Sequence, residues 1–145
     1  MVVDTGPLIL PLTREEGWEK VREVLAMHEE GEVVLHVGLF NVGELVSVTR
    51  RLGYDLDTSL RYATLVAERL SVVRDVSYAM WMGRLRVEAS RLGYNVPWGD
   101  LSSVAAAVVL NVPVLALSRD KHFDVLAEVC VSYGASVQVI RVEDL

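Results

Sequence analysis

Short β-branched apolar runs alternate along the chain with longer stretches whose apolar residues recur at helical spacing. The runs are Met1–Asp4, Val33–Val37, Val72–Val73, Val114–Leu117 and Val137–Ile140. They carry little polar alternation, as expected of strands covered on both faces. Between them the spacing predicts helices over Glu15–Glu30, Leu39–Leu52, Thr58–Leu70, Ser77–Leu92, Leu101–Leu110 and Phe123–Tyr133. Gly53, Gly93 and Gly134 each follow such a stretch, where a residue able to adopt positive φ closes a helix. Strand alternating with helix predicts an α/β fold: a three-layer α/β/α arrangement around a mainly parallel central sheet. Neither a repeat nor a Pro/Gly/Ser linker divides the chain, so one domain over residues 1–145 is expected. In open sheets of this type, functional groups gather beyond the carboxyl ends of the strands.

Composition narrows the class. With 145 residues, 52% of them hydrophobic and 23% charged, the chain can bury a core and is too apolar to be disordered. No apolar run reaches the roughly 18 residues that a membrane span needs. The opening residues lack the basic-then-apolar pattern of a signal peptide. The single cysteine, Cys130, cannot form an internal disulfide, so a reducing, cytoplasmic setting is expected. A net charge of −6 argues against a passive nucleic-acid binder, whose affinity normally comes from Lys and Arg on phosphates. An acidic site that recruits cations would soften that objection.

Four acids stand where such a site would form. Asp4 follows the first strand in Val2-Val3-Asp4-Thr5-Gly6-Pro7, and Asp120 follows a later one in Ser118-Arg119-Asp120-Lys121-His122-Phe123. Asp100 precedes the Ala-rich stretch in Pro97-Trp98-Gly99-Asp100-Leu101. Each of these three is equally at home as a helix N-cap. Glu44 is different, because Phe40 and Val48 lie four residues to either side and share its helix face. A carboxylate on an apolar face needs a partner, and the candidates are a metal ion or a distant arginine. Four carboxylates at one rim would repel one another unless cations were present. Their hard oxygens suit one or two Mg²⁺ or Mn²⁺ ions, which can activate water and stabilise the leaving oxygen in phosphodiester hydrolysis.

In order and spacing these segments resemble the PIN-domain nucleases, and among them the small VapC-type toxins of toxin–antitoxin pairs. The resemblance runs from Val2 to about Ile140. Asp-Thr-Gly-Pro-Leu looks like the family's opening motif, Glu44 its glutamate, Asp100 the aspartate opening an Ala-rich helix, and Ser118-Arg119-Asp120 the motif after the fourth strand. The resemblance implies a PIN-like domain and a metal-dependent endoribonuclease leaving 5′-phosphate and 3′-hydroxyl ends. It implies Asp4, Glu44, Asp100 and Asp120 as metal-binding catalytic residues. It further implies an RNA substrate, a homodimer and a VapB-type antitoxin. The chain departs from the pattern at His122, where many relatives carry a second acid, and Asp124 is a possible substitute.

Other residues have supporting or bland assignments. Thr5 and Ser118 are expected to hydrogen-bond the acids rather than act as nucleophiles, no histidine being placed to activate them. Arg119, Lys121 and His122 are candidates to position phosphate. His36 reads as a core histidine and His28 as a solvated one. The rival to the nuclease is a catalytically weak or inactive PIN-like module that binds another protein, motivated by the acidity, His122 and the apolar composition.

Overall fold

A computed structural model describes residues 1–145. Five short strands, β1 (Val2–Val3), β2 (His36–Gly38), β3 (Ser71–Val73), β4 (Val114–Ala116) and β5 (Val139–Arg141), form an all-parallel sheet in the order β3-β2-β1-β4-β5. The seven helices are α1 (Thr5–Thr13), α2 (Trp18–Glu29), α3 (Leu39–Arg51), α4 (Leu56–Arg69), α5 (Val76–Arg91), α6 (Trp98–Leu110) and α7 (His122–Ser132). The result is the expected three-layer α/β/α fold.

Strand pleating divides the core in two. Val2, Val73, Val114 and Ala116 face a cluster built from α5, α6 and α7, with Leu85, Leu101, Phe123 and Leu126 fully buried. Val3, Leu35, Val37 and Leu115 face the opposite cluster, with Leu8, Val21, Leu45 and Val66 from α1–α4. Helix α6 is buried along nearly its whole length, from Gly99 to Ala107. Its run of alanines follows from this, because small side chains let it sit closely against the sheet and both neighbouring helices.

Three local differences from the sequence pattern have physical causes. Thr5–Thr13, with prolines at 7 and 11, is not among the stretches whose spacing predicts a helix, yet it is helix α1. Pro7 lies in the first turn, where backbone N–H groups have no intrahelical partner, so a proline removes nothing there. The first and last strands are shorter than their apolar runs, since pairing and not hydrophobicity sets their ends. The helix face of Glu44 is also not the core face: Asn41, Leu45 and Thr49 point inward, while Phe40 is 44% exposed.

The chain steps from β1 outward to β2 and β3, then returns through α5 and α6 to β4 on the other side of β1. The strand order therefore reverses between β1 and β4. A crevice at the carboxyl ends of those two strands is the position that this topology offers a ligand.

Candidate metal centre

The four acids meet at that reversal point. Asp4 leaves β1 and caps α1, its carboxylate accepting weakly from the Gly6 N–H at 3.4 Å. Asp100 lies in the first turn of α6 rather than ahead of it. Asp120 lies between β4 and α7, and Glu44 reaches in from the second turn of α3. All four line one open cleft of about 730 Å³, together with Thr5, Arg119, Lys121 and His122. The amino ends of α1, α6 and α7 converge on it, and their dipoles favour negative charge there. Ser118 is placed apart, exposed on the loop and facing an adjoining hollow.

Hydrogen bonds fix two of the acids from behind. Ser103 donates to Asp4 Oδ1 at 2.6 Å, and Thr5 donates to Glu44 Oε1 at 2.5 Å. The Thr5 hydroxyl accepts in turn from Asn41 Nδ2 at 3.0 Å, and the same amide donates to the Gly99 carbonyl at 3.1 Å. Ser102 donates to Asn41 Oδ1 at 2.6 Å and is paired with the Tyr78 hydroxyl, which accepts from the Phe40 N–H. The direction of the whole chain is determined. The Gly99 carbonyl can only accept, which turns the Asn41 oxygen toward Ser102; Ser102 therefore donates to Asn41 and accepts from Tyr78, while Asn41 donates to Thr5 and Thr5 to the carboxylate. Gly99 belongs to the same arrangement, since a β-carbon there would run into both Glu44 carboxylate oxygens.

Asn41, Ser102 and Ser103 are each fully buried. Sequence reasoning passed over them and Tyr78, although three polar residues inside otherwise apolar helical stretches were a usable signal.

The electrostatics match the crowding. Burial pushes the Asp4 carboxyl up to about 7, with Ser103 pulling against it and the Glu44 charge adding to it. Burial first, then repulsion from Asp4, Asp120 and Glu44, pushes Asp100 up to about 8. His122 Nδ1 lies 3.0 Å from Asp100 Oδ2 and 3.4 Å from Asp120 Oδ1. The approach to Asp100 is not aligned for a hydrogen bond, and Asp100 Oδ2 is buried with no partner. Ligand atoms of Asp100, Asp120 and His122 all lie within 4.8 Å of one another. A buried carboxylate oxygen without a donor, among acids that raise one another's pKa, is a donor set that a divalent cation would satisfy.

The remaining candidates are placed as follows. Arg119 is exposed at the rim and pairs with Glu15 at 3.4 Å, and Lys121 stands exposed at the start of α7. Asp124 does not join the cluster, because Arg141 holds it at 2.8 Å. The other amine of Arg141 donates to the Leu117 and Asp120 carbonyls, each at 2.8 Å, and so pins the loop that carries Asp120. His36 is partly buried in β2. His28 is not solvated: Nδ1 accepts from the Leu35 N–H at 3.2 Å, which leaves Nε2 to donate to the Arg69 carbonyl at 2.8 Å.

Comparison with known proteins agrees with the fold. The PIN domain family matches over residues 1–129. The fold is similar to VapBC from Salmonella typhimurium, solved with bound DNA, at TM-score 0.71 and 17% identity over 97% of this chain and 96% of that one. It is likewise similar to VapBC2 from Rickettsia felis bound to a promoter DNA fragment, at TM-score 0.69 and 12% identity over 97% and 96%. VapBC-5 from Mycobacterium tuberculosis aligns at TM-score 0.51 and 25% identity over 74% of this chain and 81% of that one. No curated protein sequence matches.

Proposed function

The chain belongs to the PIN domain family, and on that premise we propose that it is a metal-dependent endoribonuclease of the VapC toxin type. The observation that carries the proposal is the convergence of Asp4, Glu44, Asp100 and Asp120 on one cleft where the strand order reverses. In this proposal residues 1–145 form one PIN domain, with those four acids as its metal-binding catalytic residues.

Asp4 and Asp100 would hold a divalent ion of the Mg²⁺ or Mn²⁺ kind, and Asp120 and Glu44 would share in holding it or orient the attacking water. The bound ion would supply Lewis-acid activation of water and neutralise charge on the phosphate. The chain's own residues do the rest. Ser103 and Thr5 keep Asp4 and Glu44 aimed into the cleft, so little reorganisation is needed when substrate arrives. Arg119 and Lys121 stand at the rim, where cationic side chains draw an RNA backbone toward an otherwise acidic surface. Thr5 is committed to Glu44 as a donor, which supports water and not a side chain as nucleophile.

Partners follow from the similar structures, which are VapBC complexes, two of them with DNA. A VapB-type antitoxin and a homodimer are proposed on that basis. The exposed stripe of Val76, Met80 and Val87 along α5 supports a protein partner. No helix is long and apolar enough to cross a membrane; a cytoplasmic setting is proposed on the separate ground that the single cysteine, Cys130, is a buried free thiol.

The test is cleavage of RNA by the purified chain with Mg²⁺ or Mn²⁺, with a chelator, and with Asp100→Asn in place of the native chain. Cleavage leaving 5′-phosphate ends, abolished by the chelator and by the substitution, is expected. Full activity in the variant would remove Asp100 from the mechanism, and activity undiminished by the chelator would remove the ion.

A further inference from the structure

We propose that His122 makes this cleft selective for a first-row transition-metal ion over Mg²⁺. The inference rests on the metal-dependent reading above and concerns the one donor in the cluster that is not oxygen. His122 Nδ1 faces Asp100 Oδ2 at 3.0 Å and Asp120 Oδ1 at 3.4 Å. Adjacent donors on an octahedral ion bound at about 2.1 Å stand about 3 Å apart, so these spacings already suit shared coordination. Asp100 is 8% exposed and its Oδ2 lacks any hydrogen-bond partner, so that oxygen is free to act as a ligand.

Two further observations assign the position to the histidine. The nearby acid that could otherwise complete an all-oxygen set, Asp124, is held by Arg141 at 2.8 Å and does not line the cleft. His122 is itself held in place: it opens α7, and its backbone N–H donates to Asp120 Oδ1 at 3.1 Å. The ring is thus presented to the carboxylates by the same turn that presents Asp120.

The consequence is one of donor chemistry. Mg²⁺ takes oxygen ligands and gives up its water reluctantly, so an imidazole nitrogen adds little to its binding. For divalent transition ions the affinity of a site containing nitrogen climbs from Mn²⁺ through Co²⁺ to Ni²⁺. The cleft therefore discriminates against the commoner ion through one side chain.

The test is calorimetric titration of the purified chain with Co²⁺ and with Mg²⁺, repeated on His122→Asp and His122→Ala, with circular dichroism confirming that each variant folds. The native chain is expected to bind Co²⁺ the more tightly. His122→Asp should lower the ratio of Co²⁺ to Mg²⁺ affinity by at least about tenfold, the scale on which metal sites respond to altered surroundings. The ratio is the informative quantity, since the extra negative charge strengthens both ions together. The visible absorption of bound Co²⁺ should change with loss of the nitrogen ligand, and His122→Ala should weaken Co²⁺ far more than Mg²⁺. An affinity ratio and spectrum unchanged in His122→Asp would overturn the inference and leave the metal-dependent reading standing. Binding of neither ion to the native chain would overturn both.

Discussion

Replacing Asp100 by Asn should make the metal-free protein more stable while disabling its metal site. The carboxyl is ordinarily ionised above pH 3.8, but burial and three neighbouring carboxylates hold it protonated up to about pH 8 in the folded chain. Between those values the unfolded chain has lost a proton that the folded chain keeps. The folded state therefore loses stability as pH rises from about 4 to about 8, and loses no more above that. At about 1.36 kcal/mol per pH unit, the interval from 3.8 to 7 corresponds to about 4 kcal/mol. Asp4 shares the same repulsion and water enters an open cleft, so the gain on substitution should lie between about 2 and 4 kcal/mol. In a chain of this length that is a rise in Tm of roughly 4–16 °C. Thermal unfolding of both proteins in chelator at pH 7.5 and pH 4 is the assay, with the difference present at the higher pH and absent at the lower. Saturating metal should then narrow or reverse the order, because an ion at a hundred times its Kd adds about 2.7 kcal/mol to whichever chain binds it. A variant no more stable than the native chain at pH 7.5, or equally advantaged at pH 4, would refute the reasoning.

Three further outcomes follow from the supporting residues. Gly99→Ala places a methyl against both oxygens of Glu44, so metal-dependent cleavage should fall at least about tenfold, while the better helix propensity offsets part of the packing strain and keeps the Tm change small. Asn41→Ala strands the Ser102 hydroxyl, the Gly99 carbonyl and the Thr5 hydroxyl in a buried site; denaturant titration should show a loss of about 2–4 kcal/mol with an unchanged m-value. Arg141→Ala releases the Leu117 and Asp120 carbonyls together with Asp124, so Mn²⁺ affinity measured by calorimetry should drop even though Arg141 touches only the backbone of Asp120 and none of the proposed ligand side chains.

The layered fold was legible because a parallel sheet buried on both faces leaves short continuous apolar runs, and Gly53, Gly93 and Gly134 marked helix ends with their positive φ. Helix α1 was not legible, since Thr-Gly-Pro-Leu-Ile-Leu-Pro has turn formers at both ends and its helical state depends on packing against α2 and α3. Glu44 stood out because a carboxylate on an apolar helix face is anomalous, and the three aspartates because they stand at strand ends or a helix start, where a parallel sheet gathers functional groups. Glu44 was singled out for sharing a face with Phe40 and Val48, yet that face borders the cleft and the core face is one step round the helix. Its partner is the Thr5 hydroxyl and not an arginine, a pairing across 39 residues that no local pattern encodes. Behind it, Asn41 and Ser102 are legible only as polar residues within apolar helical stretches; their link to Tyr78 is not, because the directional network exists only once α3, α5 and α6 are packed.

The claim beneath all of this is that the cleft holds a divalent ion. The most direct measurement is an anomalous difference map from crystals soaked in Mn²⁺. The account predicts a strong peak bounded by Asp4, Asp100, Asp120 and His122, with Asp100 Oδ2 among the ligands. Crystals with Mn²⁺ bound elsewhere, or none bound and the carboxylates left as they stand, would contradict it.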